Sequence, residues 1–116
     1  MKEVLDNSKI KLIHINIRSI RKNWDELIMI LSNSKIEWDV IIVSEINIKK
    51  YESVMYKIPN YDNFFVTREN TKRGGGIGMF VKKNIIVEFE SIKCDINDGI
   101  MAMLRINDIE VKIVSI

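Results

Sequence analysis

Hydrophobic positions along the chain change their period several times, and each change marks an element. Residues 9–17 alternate: Ile13, Ile15 and Ile17 point one way, while Leu12, His14 and Asn16 point the other. Apolar residues fall on both faces and isoleucine dominates, which predicts an internal strand covered on both sides. Trp24, Leu27, Ile28 and Leu31 then recur at i, i+3, i+4 and i+7, one helical stripe. Asn23 with Glu26 three residues later reads as a capping box. Asp25 and Glu26 in the first turn would then complement the helix dipole. Ser32-Asn33-Ser34 closes the helix. Residues 40–44 are a short apolar run between Asp39 and Glu45, the pattern of a buried strand. Strand, helix and buried strand in this order predict a βαβ unit with parallel strands.

Beyond Glu45 the chain turns polar. Tyr51, Val54 and Met55 permit one short helical turn before Ile58-Pro59-Asn60 interrupts it. Residues 61–68 are aromatic and strand-like, residues 69–76 form a polar, glycine-ended turn, and residues 77–81 supply a partner strand. Together these predict a hairpin with a long loop. Residues 85–89 predict a further strand. Residues 101–106 and 109–116 flank Asn107-Asp108, a tight hairpin turn. The expected class is therefore α/β (α+β), a βαβ start followed by antiparallel hairpins. Residues 1–8 form a flexible lead-in and 9–116 a single partial domain. The last predicted strand is still running at Ile116, which suggests part of a longer domain.

Composition narrows the chemistry. The 116 residues suit one small domain, and 47% hydrophobic content is ample for a core. A net charge of +2, from 18 basic and 16 acidic residues, does not by itself announce a nucleic-acid binder. Cys94 is the only cysteine and His14 the only histidine. These counts remove an intrachain disulfide, a four-ligand zinc site and most Ser-His or Cys-His chemistry. The single cysteine and the absence of an apolar leader suggest an intracellular setting, nuclear or cytoplasmic. No apolar run is long enough to span a bilayer, so no membrane association is expected.

Ligands of α/β sheets gather at the carboxyl ends of parallel strands. Asn16 stands near one such end and Glu45 at the other, two oxygen donors of the kind Mg²⁺ or Mn²⁺ takes. Spacing alone favours a plainer reading, in which Asn16 caps its strand and Glu45 opens a solvated loop. His14 reads more readily as a hydrogen-bonded structural residue than as a catalyst. Arg18, Arg21 and Lys22 crowd the loop after the first strand, either as phosphodiester ligands or as a solvated cluster. Lys72-Arg73-Gly74-Gly75-Gly76-Ile77-Gly78 is no Walker loop: a strand follows it and the Lys-Ser/Thr pair is missing. Its glycines serve a turn or bulge, from which Arg68 and Arg73 can still point toward the site. Tyr61, Phe64 and Phe65 read as core rather than as a base-stacking platform.

Several of these segments together resemble a known family. They are His14-Ile-Asn16-Ile-Arg18-Ser19-Ile, Asp39-Val-Ile-Ile-Val-Ser44-Glu45, Ile58-Pro59-Asn60-Tyr61, Thr67-Arg68 and Arg73-Gly74-Gly75-Gly76-Ile. In that order they resemble the endonuclease/exonuclease/phosphatase superfamily, most closely the apurinic-endonuclease-like domain of non-LTR (LINE-type) retrotransposons. The resemblance covers roughly residues 10–116 and implies the N-terminal half of a four-layered α/β sandwich. It implies a Mg²⁺- or Mn²⁺-dependent phosphodiester hydrolase, a DNA endonuclease natively followed by the rest of its domain and a reverse transcriptase. It assigns Asn16 and Glu45 to the catalytic and metal site and matches Arg68 with the Gly74–Gly76 turn to a structural and substrate-facing segment, beside which Arg18 and Arg73 stand as further substrate-binding candidates. Ile46-Asn47 departs from the Thr-Trp or Thr-Lys that often follows the glutamate in the family.

The family's later motifs, a Tyr-containing segment, Asp-x-Asn and Ser-Asp-His, belong after the last predicted strand, and none of them follows it within these 116 residues. The resemblance therefore implies a truncated and inactive fragment, with a non-catalytic nucleic-acid- or partner-binding remnant as the alternative. A half sandwich is also expected to leave Ile13, Ile15 and Val43 without an opposing sheet, and to be poorly stable or aggregated when expressed alone.

Overall fold

The alternating run at the start forms β1, Leu12–Asn16, and the buried run forms β2, Val40–Ser44. The computed structural model describes residues 10–67, 75–85, 87–93, 100–106 and 108–115. Between β1 and β2 lies α1, Ile20–Asn33. A 3-10 helix, Lys50–Met55, is followed by β3, Tyr61–Val66, and β4, Ile77–Lys82. The chain continues as β5, Val87–Lys93, β6, Ile100–Ile106, and β7, Ile109–Ser115.

The first four strands make a mixed sheet in the order β1-β2-β4-β3, and the last three an antiparallel sheet, β5-β6-β7. β1 and β2 are parallel, from Leu12 opposite Val40 to Asn16 opposite Ser44. β4 runs antiparallel to both β2 and β3. The tight turn joins β6 to β7, where Ile106 pairs with Ile109 and Asp108 takes a φ of 68°. The expected mixed α/β class, with its parallel start and antiparallel continuation, is the observed one.

Period-2 alternation divides the first sheet between two cores. On one face Ile13, Ile15, Ile41, Val43 and Phe80 meet Ile20 and Leu27 of α1, with Trp24 packed on Tyr56 and Phe80. On the other, Val40, Ile42, Ile77, Met79 and Val81 meet Leu104 of β6, with Phe89, Val111 and Ile113 against them. Phe64 and Phe89 stack at 4.8 Å between ring centroids across that interface. Each fully buried aliphatic or aromatic side chain here contributes roughly 1.5–3 kcal/mol. Among the described residues the layers are thus helix, mixed sheet, antiparallel sheet.

Four expectations change. Ile13, Ile15 and Val43 do not await an opposing sheet: α1 covers them, while the opposing sheet is supplied by β5-β6-β7 on the other face. β1 is not internal but an edge of the first sheet among the described residues, with His14 and Asn16 exposed. The helix starts at Ile20 rather than behind Asn23, so Asp25 and Glu26 fall outside its first turn. Ser19 is the N-cap, its Oγ accepting from Lys22 N at 3.3 Å, and Asn23 instead donates to Ile17 O at 2.8 Å. Finally, the fifth strand leaves out Ile85 and reaches Lys93 rather than Phe89.

Candidate active site

Parallel pairing brings the carboxyl ends of β1 and β2 to one sheet edge, where Asn16 is opposite Ser44. Leu12, His14 and Asn16 share a face. Leu12 still packs against the core beneath the second sheet, whereas His14 and Asn16 emerge from it and are exposed. His14 Nε2 lies 3.1 Å from Ser44 Oγ, so the only imidazole is engaged by a neighbouring hydroxyl. Asn16 Nδ2 donates a hydrogen bond to Glu45 Oε2. The amide and the carboxylate picked out by the sequence therefore touch.

Beyond the ladder the two chain segments stay joined. Ile17 N–H donates to Ser44 O at 3.0 Å, Ser19 N–H to Glu45 O at 2.8 Å, and Ile20 N–H to Ile46 O at 3.0 Å. Buried Ile46 and Ile48 alternate with exposed Glu45 and Asn47, so burial of the isoleucines turns the polar pair outward. Arg18 (φ 50°), Ser19 (92°), Glu45 (54°) and Asn47 (56°) all adopt left-handed backbone. Among the described residues, four of the seven non-glycine positions with positive φ are in these two connections. Apart from Asn47, whose residue type tolerates this region, each costs on the order of 1–3 kcal/mol, and such strain concentrates at functional sites.

The basic residues separate. Arg18 is exposed and, with Asn16, Asn23 and Glu26, rims a recess of about 270 Å³ floored by Ile15, Leu27 and Ile30. Arg21 is not a loop residue: it stands in the first turn of α1 and pairs with Glu52 of the 3-10 helix. The Glu52 carboxyl is held below the usual carboxylate range, first by the Lys49 backbone N–H that donates to Oε1 at 3.1 Å and then by Arg21. Glu52 in turn raises the Arg21 guanidinium. Arg21 is thus committed to holding the loop after Glu45 against the helix. Arg68 and Arg73 lie outside the described residues.

Two features had no counterpart in the sequence reading. Asn47 donates its N–H to Gly75 O at 2.9 Å, and its Oδ1 accepts the Gly75 N–H. The glycine-ended turn is thereby tied to the Glu45 segment. At Gly76 (φ 95°) an added Cβ would lie 2.9 Å from Ile46 Cγ1, so the close approach itself demands glycine. The available signal was an asparagine between two isoleucines just past a strand end, a residue that tolerates left-handed backbone.

In donor chemistry the Asn16–Glu45 pair suits a hard divalent cation: one carboxylate and one amide, both exposed. Among the described residues no three His, Cys, Asp or Glu side chains cluster to hold a metal by themselves. Mg²⁺ commonly takes only one or two carboxylates, so this donor set fits it.

No protein-family model matches the sequence, and no curated protein is a significant match. Among solved structures, the Xenopus laevis APE2 catalytic domain superposes with a TM-score of 0.60 over 90% of this chain, at 14% identity. The chain has that domain's fold over the part it spans. The chain covers 43% of the APE2 domain's length.

Proposed function

We propose that this chain carries the metal- and phosphate-holding end of a Mg²⁺-dependent phosphodiester hydrolase that acts on DNA. The observation that carries the reading is the hydrogen bond from Asn16 to Glu45 at the shared ends of two parallel strands, on a nuclease-type fold. Glu45 would hold the cation by its carboxylate. Asn16 orients that carboxylate through Nδ2 and stands beside the phosphate. Arg18, two residues on and exposed, supplies a positive charge for the phosphodiester. Bound there, Mg²⁺ would polarise a phosphoryl oxygen and neutralise charge as the P–O bond breaks. The likeness of Ile58-Pro59-Asn60-Tyr61 and Arg73-Gly74-Gly75-Gly76 to the non-LTR retrotransposon branch supports a role in target-DNA nicking beside a reverse transcriptase. Because the family's Asp-x-Asn and Ser-Asp-His groups belong after the strand that corresponds to β7, these 116 residues alone are proposed to bind without turning over.

The test combines Mn²⁺ binding, followed by electron paramagnetic resonance, with nicking of supercoiled plasmid in Mg²⁺ or EDTA. Glu45→Gln is expected to weaken Mn²⁺ binding at least tenfold, and any nicking should require both Mg²⁺ and Glu45. Mn²⁺ binding indifferent to Glu45→Gln, or nicking that survives EDTA, overturns the reading. DNA binding unchanged by Mg²⁺ and by Glu45→Ala, with no nicking, is the signature of a non-catalytic binding remnant.

A further inference from the structure

Glu45 stands on a backbone with little ordinary support. It lies one residue past the end of β2, is exposed, and has a φ of 54°. A non-glycine residue stays in that region only when its surroundings over-determine it. On one side the surroundings are the start of α1, whose Ser19 and Ile20 N–H groups donate to the Glu45 and Ile46 carbonyls at 2.8 and 3.0 Å. On the other side is Asn47. Its N–H reaches Gly75 O at 2.9 Å while its Oδ1 accepts from Gly75 N–H, a reciprocal clamp between residues 28 apart. Between the two attachments Ile46 is fully buried, and its side chain already fills the space that a Cβ on Gly76 would need.

We propose that Asn47 is a positioning residue. By clamping Gly75 it fixes the backbone from which the Glu45 carboxylate projects, and so sets the grip of that carboxylate on a divalent cation. The inference rests on the nuclease reading, in which Glu45 is a metal ligand, and adds a residue at a position where the family resemblance breaks. Two properties of Asn47 are required: a side-chain oxygen for the Gly75 N–H and tolerance of φ 56°. Aspartate keeps both, glycine keeps only the second, and alanine keeps neither.

The experiment measures two quantities on the full chain and on Asn47→Asp, Asn47→Gly and Asn47→Ala. These are the Kd for Mn²⁺ alone and the hydrogen-exchange rates of the Ser19 and Gly75 amides. Asn47→Ala and Asn47→Gly are expected to weaken Mn²⁺ binding about tenfold, the range for losing a group that orients a metal ligand. Both should speed Ser19 and Gly75 exchange by a similar factor, while Asn47→Asp stays within about threefold on each. A folded Asn47→Ala whose Ser19 exchange is unchanged overturns the inference. So does one with faster exchange but undiminished Mn²⁺ affinity. Mn²⁺ binding that Glu45→Gln leaves intact counts instead against the nuclease reading. The exchange rates then decide by themselves whether Asn47 holds the Glu45 backbone. If Glu45→Gln abolishes binding and Asn47→Gly matches the native chain, the clamp is dispensable and the inference fails.

Discussion

Glu52 shows what a single buried carboxylate does in this chain. Its side chain is 11% exposed, one oxygen accepts from the Lys49 backbone N–H and the other from Arg21. Both donors favour the charged form, so the folded-state pKa lies below the ordinary glutamate value of about 4.3. The sign follows from linkage. A depressed carboxylate stabilises the fold fully above the unfolded pKa, and that stabilisation drains away as pH falls through the folded one. Urea midpoints should therefore decline below about pH 4.3 in the native chain, and Glu52→Gln should flatten part of that decline while lowering stability at pH 7. An identical pH slope in Glu52→Gln would show that the pair does not matter to folding. At this scale Asn16 and Glu45 were legible because each marks the end of an apolar run. Arg21 was not, because its partner is 31 residues away and no local spacing encodes that contact. Asn47 was noticed only as a departure, since a clamp to Gly75 has no signature in either residue alone.

Among the elements, α1 is the one whose boundary the sequence misplaces, for a physical reason. Asn23 and Glu26 satisfy the local capping pattern, but the N–H groups of Ser19 and Ile20 find carbonyl partners on Glu45 and Ile46. A tertiary neighbour thus stabilises an earlier start, and Asn23 is released to donate to Ile17 O and Arg18 O. Ser19 combines a cap with strained backbone at φ 92°. Ser19→Ala loses the cap, keeps the strain, and is expected to lose about 1 kcal/mol. Ser19→Gly also loses the cap but relieves the backbone, so its loss should be a few tenths of a kcal/mol or none. Chemical denaturation of the two variants checks this; a glycine variant less stable than the alanine one would mean that φ 92° carries no strain. β1 was misread as internal because periodicity reports which faces are covered, not which strands lie alongside. Its Ile13 and Ile15 face the helix and its Leu12 faces the second sheet, so both faces look buried although its outer edge carries no strand among the described residues.

For the whole molecule the decisive fact is that the mixed sheet is covered on both faces by this chain's own segments. Leu27 of α1 (2% exposed) fills one interface and Leu104 of β6 (fully buried) the other. The expectation of instability assumed that Ile13, Ile15 and Val43 faced a missing sheet. They face α1, and the second sheet seals the opposite side. Parallel pairing of β1 with β2 was legible from element order, but which face met which layer was not, because inward and outward isoleucines are chemically alike. If the three layers share one folding unit, truncation in either interface must weaken both. Leu27→Ala and Leu104→Ala should each lose about 2–5 kcal/mol, the transfer and cavity cost of a buried leucine. Both should shift a single transition, seen alike by far-UV circular dichroism and by the fluorescence of Trp24 and Trp38. Trp24 and Trp38 both pack on the helix-side core. A Leu104→Ala variant that melts its strand signal first and leaves tryptophan fluorescence native would mean that the antiparallel sheet detaches independently. The Asn16–Glu45 edge, built from β1, β2 and the start of α1, would then survive without it. Coincident transitions would make the second sheet part of what holds that edge in place, despite its supplying none of the proposed site's residues.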